Sequence, residues 1–398
     1  MERGWTVSDL KNLVVQDVEA LRLRLTELSR RMYHEPELGL QEYRASAALT
    51  GMLAEAGFMV ERGTAGMPTA FRARLSGSRP GPRVALLAEY DALPGIGHGC
   101  GHNIIGTAAV GAAVALARFI PELDGELVVL GTPAEEGAVD NAGGKVVMVE
   151  AGVFNDVDAA IMVHPSSRTT AGGISNARVA LEMRFYGKSA HAAGAPHEGI
   201  NALDAAIQTF NGWNALRQHV KGDVRIHGVI TKGGMSPNIV PDYAEVRMYV
   251  RAQDTTYLKE VEGKVRKCAE GAAMATGARV EFRYTAHTYA NMRNNRVLSQ
   301  AFMANLEQLN VPITPGESTS GGSTDMGNVS QVVPAIHPYI AMCPPGVASH
   351  SREFADATVT PEGEAALMNA AKALAMTAID LFTTSQLVEN AKKEFAGA

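Results

Sequence analysis

The first half of the chain combines segments of helical apolar spacing with short, continuous apolar runs. Charged and apolar residues alternate at helical spacing over 7–31 and again over 42–56, so both segments predict amphipathic helices. Short apolar runs predict three buried strands, and an alanine-rich stretch between the first two predicts a helix. The predicted strands are 83–88, 126–130 and 159–163, and the alanine-rich helix is 104–119. Strands that alternate with helices are typical of an α/β protein with a mostly parallel central sheet.

The middle of the chain changes to the order β-α-β-β-α-β, which is the pattern of a ferredoxin-like α+β unit. The elements predicted there are strand 179–185, helix 202–218, strands 225–230 and 243–251, helix 256–276 and strand 279–285. The alternation of helix and strand then returns, with 335–342 as a further strand. We therefore predict an inserted domain at 177–288 within a first domain formed by 1–176 and 289–398.

Composition and charge narrow the class of protein. Apolar residues make up 46% of the 398 residues and charged residues 20%, which is ordinary for a soluble globular enzyme. The net charge is −6 and no Lys/Arg-rich block occurs, so no nucleic acid partner is expected. The most apolar stretch, 107–120, is too short to span a bilayer, and the first residues do not resemble a signal peptide. Three scattered cysteines suit a reducing compartment, so we expect a cytoplasmic location and no membrane association.

Two imidazoles and one thiol lie close together in the segment His-Gly-Cys-Gly-His-Asn at 98–103. Imidazole nitrogen and thiolate sulfur are ligands that zinc and related ions prefer. Cys100 and His102 are two residues apart, and in extended backbone this spacing points both side chains the same way. The intervening glycines permit the dihedral angles of a backbone that folds round an ion. The segment therefore favours a metal site over a glycine-rich turn with a buried cysteine.

Four further polar side chains follow predicted strands, where an α/β sheet forms its ligand crevice. Glu135 and Glu136 follow the second strand, His164 follows the third, and His350 lies in a Ser-His-Ser segment near the end of the chain. Taken singly, each has an ordinary explanation, such as a solvated acidic pair or a core histidine. Together with the thiol and imidazole of the 98–103 segment, they provide more ligands than one catalytic zinc ion binds. They suit two divalent ions that share a water, with one carboxylate left as general base.

The order of these segments resembles the M20 metallopeptidase family, specifically its aminoacylase/carboxypeptidase-like amidohydrolase branch. The segments that carry the resemblance are Tyr-Asp-Ala-Leu-Pro at 90–94, His-x-Cys-Gly-His-Asn at 98–103, Pro-x-Glu-Glu at 133–136, His164, Gly-Lys-Ser-Ala-His-Ala at 187–192, Gly-Ile-Asn-Ala at 199–202, Pro-Asn-Ile-Val-Pro-Asp at 237–242 and His-Ser at 350–351. They extend over almost the whole chain. The resemblance implies a zinc-peptidase-like catalytic domain, an inserted lid and dimerisation domain, and a homodimer formed through that insert.

The resemblance also implies roles for individual residues. The implied metal ligands are Cys100, His102, Glu136, His164 and His350, which would hold two divalent ions, zinc or manganese. Glu135 is implied as the general base. His191 resembles a histidine that reaches the active site of the partner subunit and stabilises the developing oxyanion. Asn238 resembles a substrate-contacting asparagine, and Asp91 is expected to orient a ligand histidine.

Three departures from the common family pattern concern the substrate. Asn103 and Glu89 stand where aspartate is usual, and Ser-Thr-Asp at 323–325 stands where a Glu-Asp pair is usual. These changes resemble the sub-branch that contains p-aminobenzoyl-glutamate hydrolase subunits and β-alanyl dipeptidases. Ser323 and Asp325 are accordingly candidate substrate contacts, while the acyl group and the amino acid stay open.

The reaction implied is hydrolysis of the amide bond of an N-acyl amino acid, an aminobenzoyl-glutamate-like aryl amide or a small dipeptide. A metal-activated water would attack, with Glu135 as general base. The alternative is a non-catalytic metal-binding or regulatory protein on the same scaffold, although binding alone has no use for the base. A zinc nucleobase deaminase needs a Cys-x-x-Cys segment, which the chain lacks. A cysteine peptidase needs a thiolate that no metal ion holds.

Overall fold

The protein is represented by a computed structural model that describes residues 5–316 and 322–397. The described residues form two compact units. The first contains 5–174, 292–316 and 325–397, and the second contains 175–291 and 322–324. The long segment of the second unit begins and ends within three residues of the bounds, 177 and 288, expected for the inserted domain.

The amino-terminal part of the first unit contains both helices and strands. Its helices are α1 (Val7–Ala20), α2 (Arg22–His34), α3 (Tyr43–Glu55), α4 (His102–Leu116) and α5 (Gly144–Glu150). Its strands are β1 (Met59–Arg62), β2 (Phe71–Ser76), β3 (Arg79–Ala88), β4 (Asp124–Gly131), β5 (Ala159–Ile161) and β6 (His164–Ser166). The single helix predicted over 7–31 is wrong, because the chain bends at Leu21. The N–H of Leu21 is shared between the carbonyls of Asp17 and Val18, at 3.2 and 3.1 Å, and this tightens the last turn of α1.

The second unit contains four strands and two α-helices among its described residues. They are β7 (Ala177–Tyr186), α6 (Ala202–Leu216), β8 (Arg225–Lys232), β9 (Tyr243–Ala252), α7 (Thr255–Thr276) and β10 (Arg279–Tyr284). The strands form one antiparallel sheet in the order β10-β7-β9-β8, and the chain order is the predicted ferredoxin-like one. Asn201 and Asp254 cap the two helices through their side chains. Apolar residues such as Val179, Val246 and Val265 join the sheet and helices in one core.

The chain then completes the first unit. The remaining elements are α8 (Arg296–Gln308), α9 (Met326–Ser330), β11 (Ala335–Ile336), β12 (Tyr339–Ala341), α10 (Arg352–Ala357), α11 (Pro361–Thr383) and α12 (Ser385–Gly397). The single strand predicted over 335–342 is wrong, because His337 and Pro338 separate β11 from β12. Proline has no N–H to donate within a sheet. β12 pairs instead with β6 in a small parallel sheet.

The main sheet of the first unit is mixed, with the strand order β1-β2-β4-β3-β5-β11. β3 pairs in parallel with β4 and β5, and β5 pairs in parallel with β11. β1, β2 and β4 form antiparallel pairs. The parallel part matches the sheet expected from the sequence. The antiparallel part was not predicted, because β1 is a short and mostly exposed edge strand that lacks a continuous apolar run.

Helix α4 packs tightly in the first unit and is buried along nearly its whole length. Two of its glycines allow this close packing. A Cβ at Gly106 would lie 2.6 Å from the carbonyl oxygen of Glu89, and one at Gly111 would lie 2.7 Å from Cδ1 of Leu25. The small residues therefore bring α4 against β3 and α2, and they fix the position of its first residue, His102.

Helix α11 is, among the described residues, the one that is long and apolar enough to cross a membrane by length and composition. However, 78% of its most apolar window is buried within the protein. Leu374 and Ile379 have no exposed surface and belong to the main apolar core. The burial accounts for its composition, since a core helix of a folded protein is apolar on most sides.

Candidate metal centre

The carboxyl ends of β3, β4 and β5 bring three loops of the first unit together. The loop after β3 leads to Cys100 and His102, and the loop after β4 carries Glu135 and Glu136. β6, which follows β5, begins at His164. Because the three strands run in parallel, their carboxyl ends lie at the same edge of the sheet. The candidate ligands were expected at this edge for the same reason.

The loop that carries Cys100 and His102 depends on glycine for its shape. Gly101 has a φ of 74° and is the N-cap of α4. A Cβ at this position would lie 2.4 Å from Cγ of Pro165, so only glycine suits both the backbone and the space. His102 is therefore the first residue of α4, two residues before the predicted start, and both it and Cys100 are buried.

The imidazole of His102 is oriented by Asp91, as expected. Nδ1 lies 2.9 Å from Oδ1 of Asp91, and the other oxygen of Asp91 accepts the backbone N–H of Glu136 at 3.0 Å. Nε2 of His102 is buried, and no hydrogen-bond partner for it is found among the described residues. The nearest oxygen of Glu89 lies 3.4 Å from it, and those of Glu135 and Glu136 lie 3.9 Å away. A metal-binding histidine usually has one ring nitrogen hydrogen-bonded to a carboxylate and the other directed at the metal ion.

Two further histidines complete the cluster. Nδ1 of His164 donates to the carbonyl of Pro165 at 2.7 Å, so Nε2 is the nitrogen left for a ligand. His350 has a φ of 64°, and its N–H donates to the carbonyl of Gly99 at 2.8 Å. Nε2 of His350 lies 3.5 Å from Oε2 of Glu136, and the side chain is 58% exposed. The cluster therefore has a buried side at His102 and an open side at His350.

The structure brings all six predicted groups together. Their candidate donor atoms form three overlapping sets, and within each set the atoms lie within 4.8 Å of one another. The sets are Cys100–His102–His164, Cys100–Glu136–His350 and His102–Glu135–Glu136. Cys100, His102 and Glu136 each belong to two of the sets. The assignment of each residue as ligand or base stays a prediction.

Burial disfavours the negatively charged forms of Glu135, Glu136 and Cys100 in the cluster. Burial and the carboxylates of Glu89 and Glu136 raise the pKa of Glu135 well above its usual value. Burial raises the pKa of Glu136 to about 7; the charge of His102 opposes this rise and that of Asp91 adds to it. Burial and the Glu136 carboxylate also raise the pKa of the Cys100 thiol. Divalent cations would supply the positive charge that these groups lack, and thiolate, imidazole and carboxylate are suitable donors. The residues present therefore fit the metal ions that were expected.

A buried lysine beside the cluster was not expected from the sequence. Lys145 has no exposed surface, and its Nζ lies 2.5 Å from Oε1 of Glu89 and 2.6 Å from Oδ1 of Asp325. Burial opposes its charge, but Asp325 and Glu89 raise the pKa of Lys145 above its usual value. The sequence gives one indication that Lys145 is buried, which is the apolar run Val-Val-Met that follows it directly. Glu89 and Asp325, which belong to two of the departures from the family pattern, therefore both contact the ammonium group of Lys145. The expected contact of Asp325 with the substrate stays a prediction.

Asn103 and His337 also lie near the cluster. Asn103, the third departure, donates through Nδ2 to Oγ of Ser29 at 3.0 Å and to Oγ1 of Thr358 at 3.1 Å, so it holds α4 rather than a ligand. The ring of His337 lies 5.3 Å from that of His164. Nε2 of His337 is buried, with no hydrogen-bond partner in the part of the chain that the structure describes. His337 has only a weak claim from sequence alone, because a lone histidine near a strand is commonly a core residue.

The other predicted site residues lie in the second unit. Nδ1 of His191 accepts the backbone N–H groups of Ala193 and Gly194 at 3.2 and 3.0 Å, so the neutral ring carries its proton on Nε2. The N–H of Ala192 donates to the carbonyl of Asn238 at 3.0 Å, which joins the His191 and Asn238 loops. Ser323 accepts a hydrogen bond from Arg251 at 2.7 Å. The predicted roles of these residues are not tested by their positions.

Comparison with known proteins identifies the family. Residues 85–379 match the family described as Peptidase family M20/M25/M40. The chain belongs to this family. The resemblance inferred from the motifs is therefore confirmed, and so is the prediction of a metal-dependent enzyme that hydrolyses amide or peptide bonds. A non-catalytic protein on this scaffold is not favoured.

Several relatives match the chain over most of their length. Xaa-Arg dipeptidase from Mus musculus is 38% identical, and the alignment covers 97% of this chain and 92% of the relative. One of the subunits of p-aminobenzoyl-glutamate hydrolase from Escherichia coli (strain K12) is 30% identical, with coverage of 98% and 95%. The chain is thus similar to members of the sub-branch that its departures from the common pattern had indicated.

Solved structures support the fold. An aminobenzoyl-glutamate utilization protein from Klebsiella pneumoniae superimposes with a TM-score of 0.75 at 22% identity, covering 92% of this chain and 98% of that one. A dinuclear metal binding peptidase from the M20 family of Bacillus subtilis gives a TM-score of 0.69 at 24% identity, with coverage of 92% and 99%. At these identities the likeness concerns the fold alone.

Proposed function

We propose that the protein is a dinuclear metallohydrolase that cleaves the amide bond of small dipeptides or N-acyl amino acids. The observation that carries the proposal is the cluster of three overlapping donor sets, two of which contain Cys100 and the third of which contains Glu135. The similarity to Xaa-Arg dipeptidase and to p-aminobenzoyl-glutamate hydrolase makes two kinds of compound the first substrates to test. These are dipeptides with a carboxyl-terminal arginine, and p-aminobenzoyl-glutamate.

The chemistry divides between the ions and the chain. The proposed ligands are Cys100, His102, Glu136, His164 and His350. When bound, zinc or manganese ions would polarise the scissile carbonyl and acidify a water molecule. Asp91 keeps Nε2 of the His102 imidazole directed at the cluster. Glu135 accepts the proton of the attacking water and delivers it to the leaving nitrogen.

His191 is proposed to stabilise the charge that develops on the carbonyl oxygen. Its Nδ1 is occupied by two backbone N–H groups, so Nε2–H is the donor that remains. A preorganised donor of this kind favours the transition state more than the ground state. Loss of His191 should therefore lower kcat and leave the bound metal unchanged.

A homodimer through the second unit is proposed from its sheet edge. β8 is an edge strand, and Val229 on it is 61% exposed, while Met235 in the following loop is 98% exposed. An uncovered apolar edge strand can pair with the same strand of a second copy across a two-fold axis. The occupant proposed for this edge is therefore the second subunit.

The central experiment compares two adjacent carboxylates as matched variants. Glu135→Gln should keep the bound metal and lose about 10²- to 10⁴-fold in kcat, because an amide cannot accept the proton. Glu136→Gln should instead reduce the metal content measured by elemental analysis. Substantial turnover by metal-loaded Glu135→Gln would contradict the assignment of the base. Fewer than two ions in fully loaded wild type would contradict the dinuclear site.

The trans role of His191 is tested by mixing two inactive variants. His191→Ala and Glu135→Gln subunits should each be nearly inactive as homodimers, yet if His191 acts in trans, a mixed dimer has one site with both residues intact. Activity should return to as much as half of the wild-type value per mixed dimer. If subunit exchange is demonstrated and no activity returns, His191 does not act across the interface. The cytoplasmic location stays a proposal that rests on cysteine content.

A further inference from the structure

A buried carboxylate from a separate segment holds the turn that carries Glu135. Glu42, which directly precedes α3, has no exposed surface. Its Oε1 accepts the backbone N–H of Ala134 at 2.9 Å, and its Oε2 accepts the hydroxyl of Thr69 at 2.8 Å. The carbonyl of Thr69 in turn accepts the hydroxyl of Tyr90 at 2.7 Å. Both oxygens of Glu42 are therefore engaged, and its side chain cannot rotate without breaking a buried hydrogen bond.

Ala134 has an unusual backbone conformation that needs this support. Its φ is 56°, in the left-handed region that non-glycine residues occupy only under constraint. The carbonyl of Ala134 accepts the N–H of Gly143 at 2.7 Å. Its side chain also packs closely on Gly39, where a Cβ would lie 2.8 Å from the Cβ of Ala134. The conformation is thus fixed at the N–H, at the carbonyl and at the side chain, one residue before Glu135.

A second buried acid holds the same turn on the other side of Glu135. Asp91 accepts the N–H of Glu136 at 3.0 Å and orients the imidazole of His102. Asp91 and Glu42 therefore hold the backbone immediately after and immediately before Glu135. The direction in which the Glu135 carboxylate leaves the backbone depends on both contacts. A role for Asp91 was expected from the sequence, whereas none was expected for Glu42.

We propose that Glu42 is a positioning residue that directs the Glu135 carboxylate by keeping Ala134 in its left-handed conformation. The inference rests on the proposed role of Glu135 as base. Glu42 accepts hydrogen bonds from the N–H of Ala134 and from the hydroxyl of Thr69. Its effect on turnover is therefore transmitted through the backbone of Ala134. Without this acceptor, a buried N–H would be left unpaired in a strained residue, and the turn would relax to a conformation that directs Glu135 elsewhere.

The test compares Glu42→Met with Glu42→Gln. Methionine keeps the length of the side chain and removes both acceptors, while glutamine keeps an oxygen for the N–H of Ala134. We expect Glu42→Met to lower kcat by up to about 100-fold, as displaced catalytic groups do, with KM and metal content little changed. Glu42→Gln should retain most of kcat. Ala134→Gly in the Glu42→Met background should restore part of it, because glycine adopts the left-handed conformation without strain.

A control and a second measurement separate positioning from general damage. Thr377→Val removes two buried hydrogen bonds, one to the carbonyl of Ala373 and one from Nδ2 of Asn305, and it should leave kcat unchanged. Amide hydrogen exchange of segment 132–136 should be faster in Glu42→Met than in wild type. This readout needs no turnover, so it tests Glu42 even if wild type hydrolyses none of the substrates and the proposed function fails. Thr69→Val, a milder change, should have smaller effects in the same direction.

Three results would overturn the proposal. The first is wild-type kcat and wild-type exchange in folded Glu42→Met. The second is a loss of kcat in Glu42→Met that is accompanied by loss of bound metal and that Ala134→Gly does not reverse. If Glu42→Met does not fold, unchanged kcat and unchanged exchange in Thr69→Val would be the third.

Discussion

Replacing Lys145 by methionine should destabilise the first unit strongly. The change removes one cation and keeps most of the side-chain volume. It leaves Glu89 and Asp325 with no exposed surface and without the ammonium group that lay 2.5 and 2.6 Å from their oxygens. Removing one partner of a buried ion pair typically costs about 3–5 kcal/mol. Because Lys145 serves two acids, we expect a loss near the upper end of that range in metal-free protein.

The assay uses the distribution of tryptophan. The chain has two tryptophans, Trp5 in the first unit and Trp213 in the second. In a Trp213→Phe background, fluorescence of Trp5, which packs on Phe119 with 5.9 Å between ring centroids, reports on the first unit alone. Urea unfolding of metal-free protein then gives the change in stability. Adding Asp325→Asn to Lys145→Met should recover part of the loss, because one of the two carboxylates that have lost the ammonium group is then neutral.

A surface ion pair provides the control. Arg24 and Glu55 lie 2.6 Å apart, with side chains 53% and 67% exposed, and Arg24→Met should cost at most about 1 kcal/mol. If Lys145→Met costs no more than Arg24→Met, the reasoning about a buried ion pair is refuted. The same holds if the Asp325→Asn change adds to the loss instead of reducing it.

Two further predictions concern the same unit. Removing the metal with a chelator should lower the melting temperature, since ions that bind only the folded state at 100 times their dissociation constant add about 2.7 kcal/mol. An unchanged melting temperature after complete removal, verified by elemental analysis, would contradict a role of the cluster in binding ions. Gly111→Val should destabilise the protein by about 1–3 kcal/mol through overpacking, because a Cβ there would lie 2.7 Å from Leu25. Gly51→Ala, where a Cβ meets nothing within 4 Å, is the control, and equal effects would contradict the packing argument.

Much of the fold follows from local patterns in the sequence. The apolar runs at β3, β4 and β5 are continuous because these strands lie inside the sheet, and the candidate ligands follow them directly. The candidate site was predicted for the same reason, since thiol, imidazole and carboxylate groups after parallel strands meet at one edge. The helices of the second unit were predicted to within a few residues.

The features that were missed depend on contacts between distant segments. Lys145 and Glu42 are buried charges, and a pattern that assigns charged residues to the surface cannot place them. Their partners, Asp325 and Ala134, are 180 and 92 residues away along the chain. The break at Leu21 was missed because the helical spacing of apolar residues continues across it. β1 was missed because it is a short and mostly exposed edge strand. β2 lies between β1 and β4, and it was missed because its apolar residues alternate with arginines and do not form a continuous run.

The two ends of the long segment of the second unit lie side by side, and this makes the segment suitable for exchange at the level of the gene. Arg178 and Tyr289 lie near the two ends, and each donates its N–H to the carbonyl of the other at 2.9 Å. A segment whose ends are hydrogen-bonded neighbours behaves as a cassette. It could be exchanged for the corresponding segment of a relative, or replaced by a short linker, without stretching the chain on either side. Insertions, deletions and recombination at these two positions are therefore a route by which such a protein could acquire a different insert and keep its metal centre.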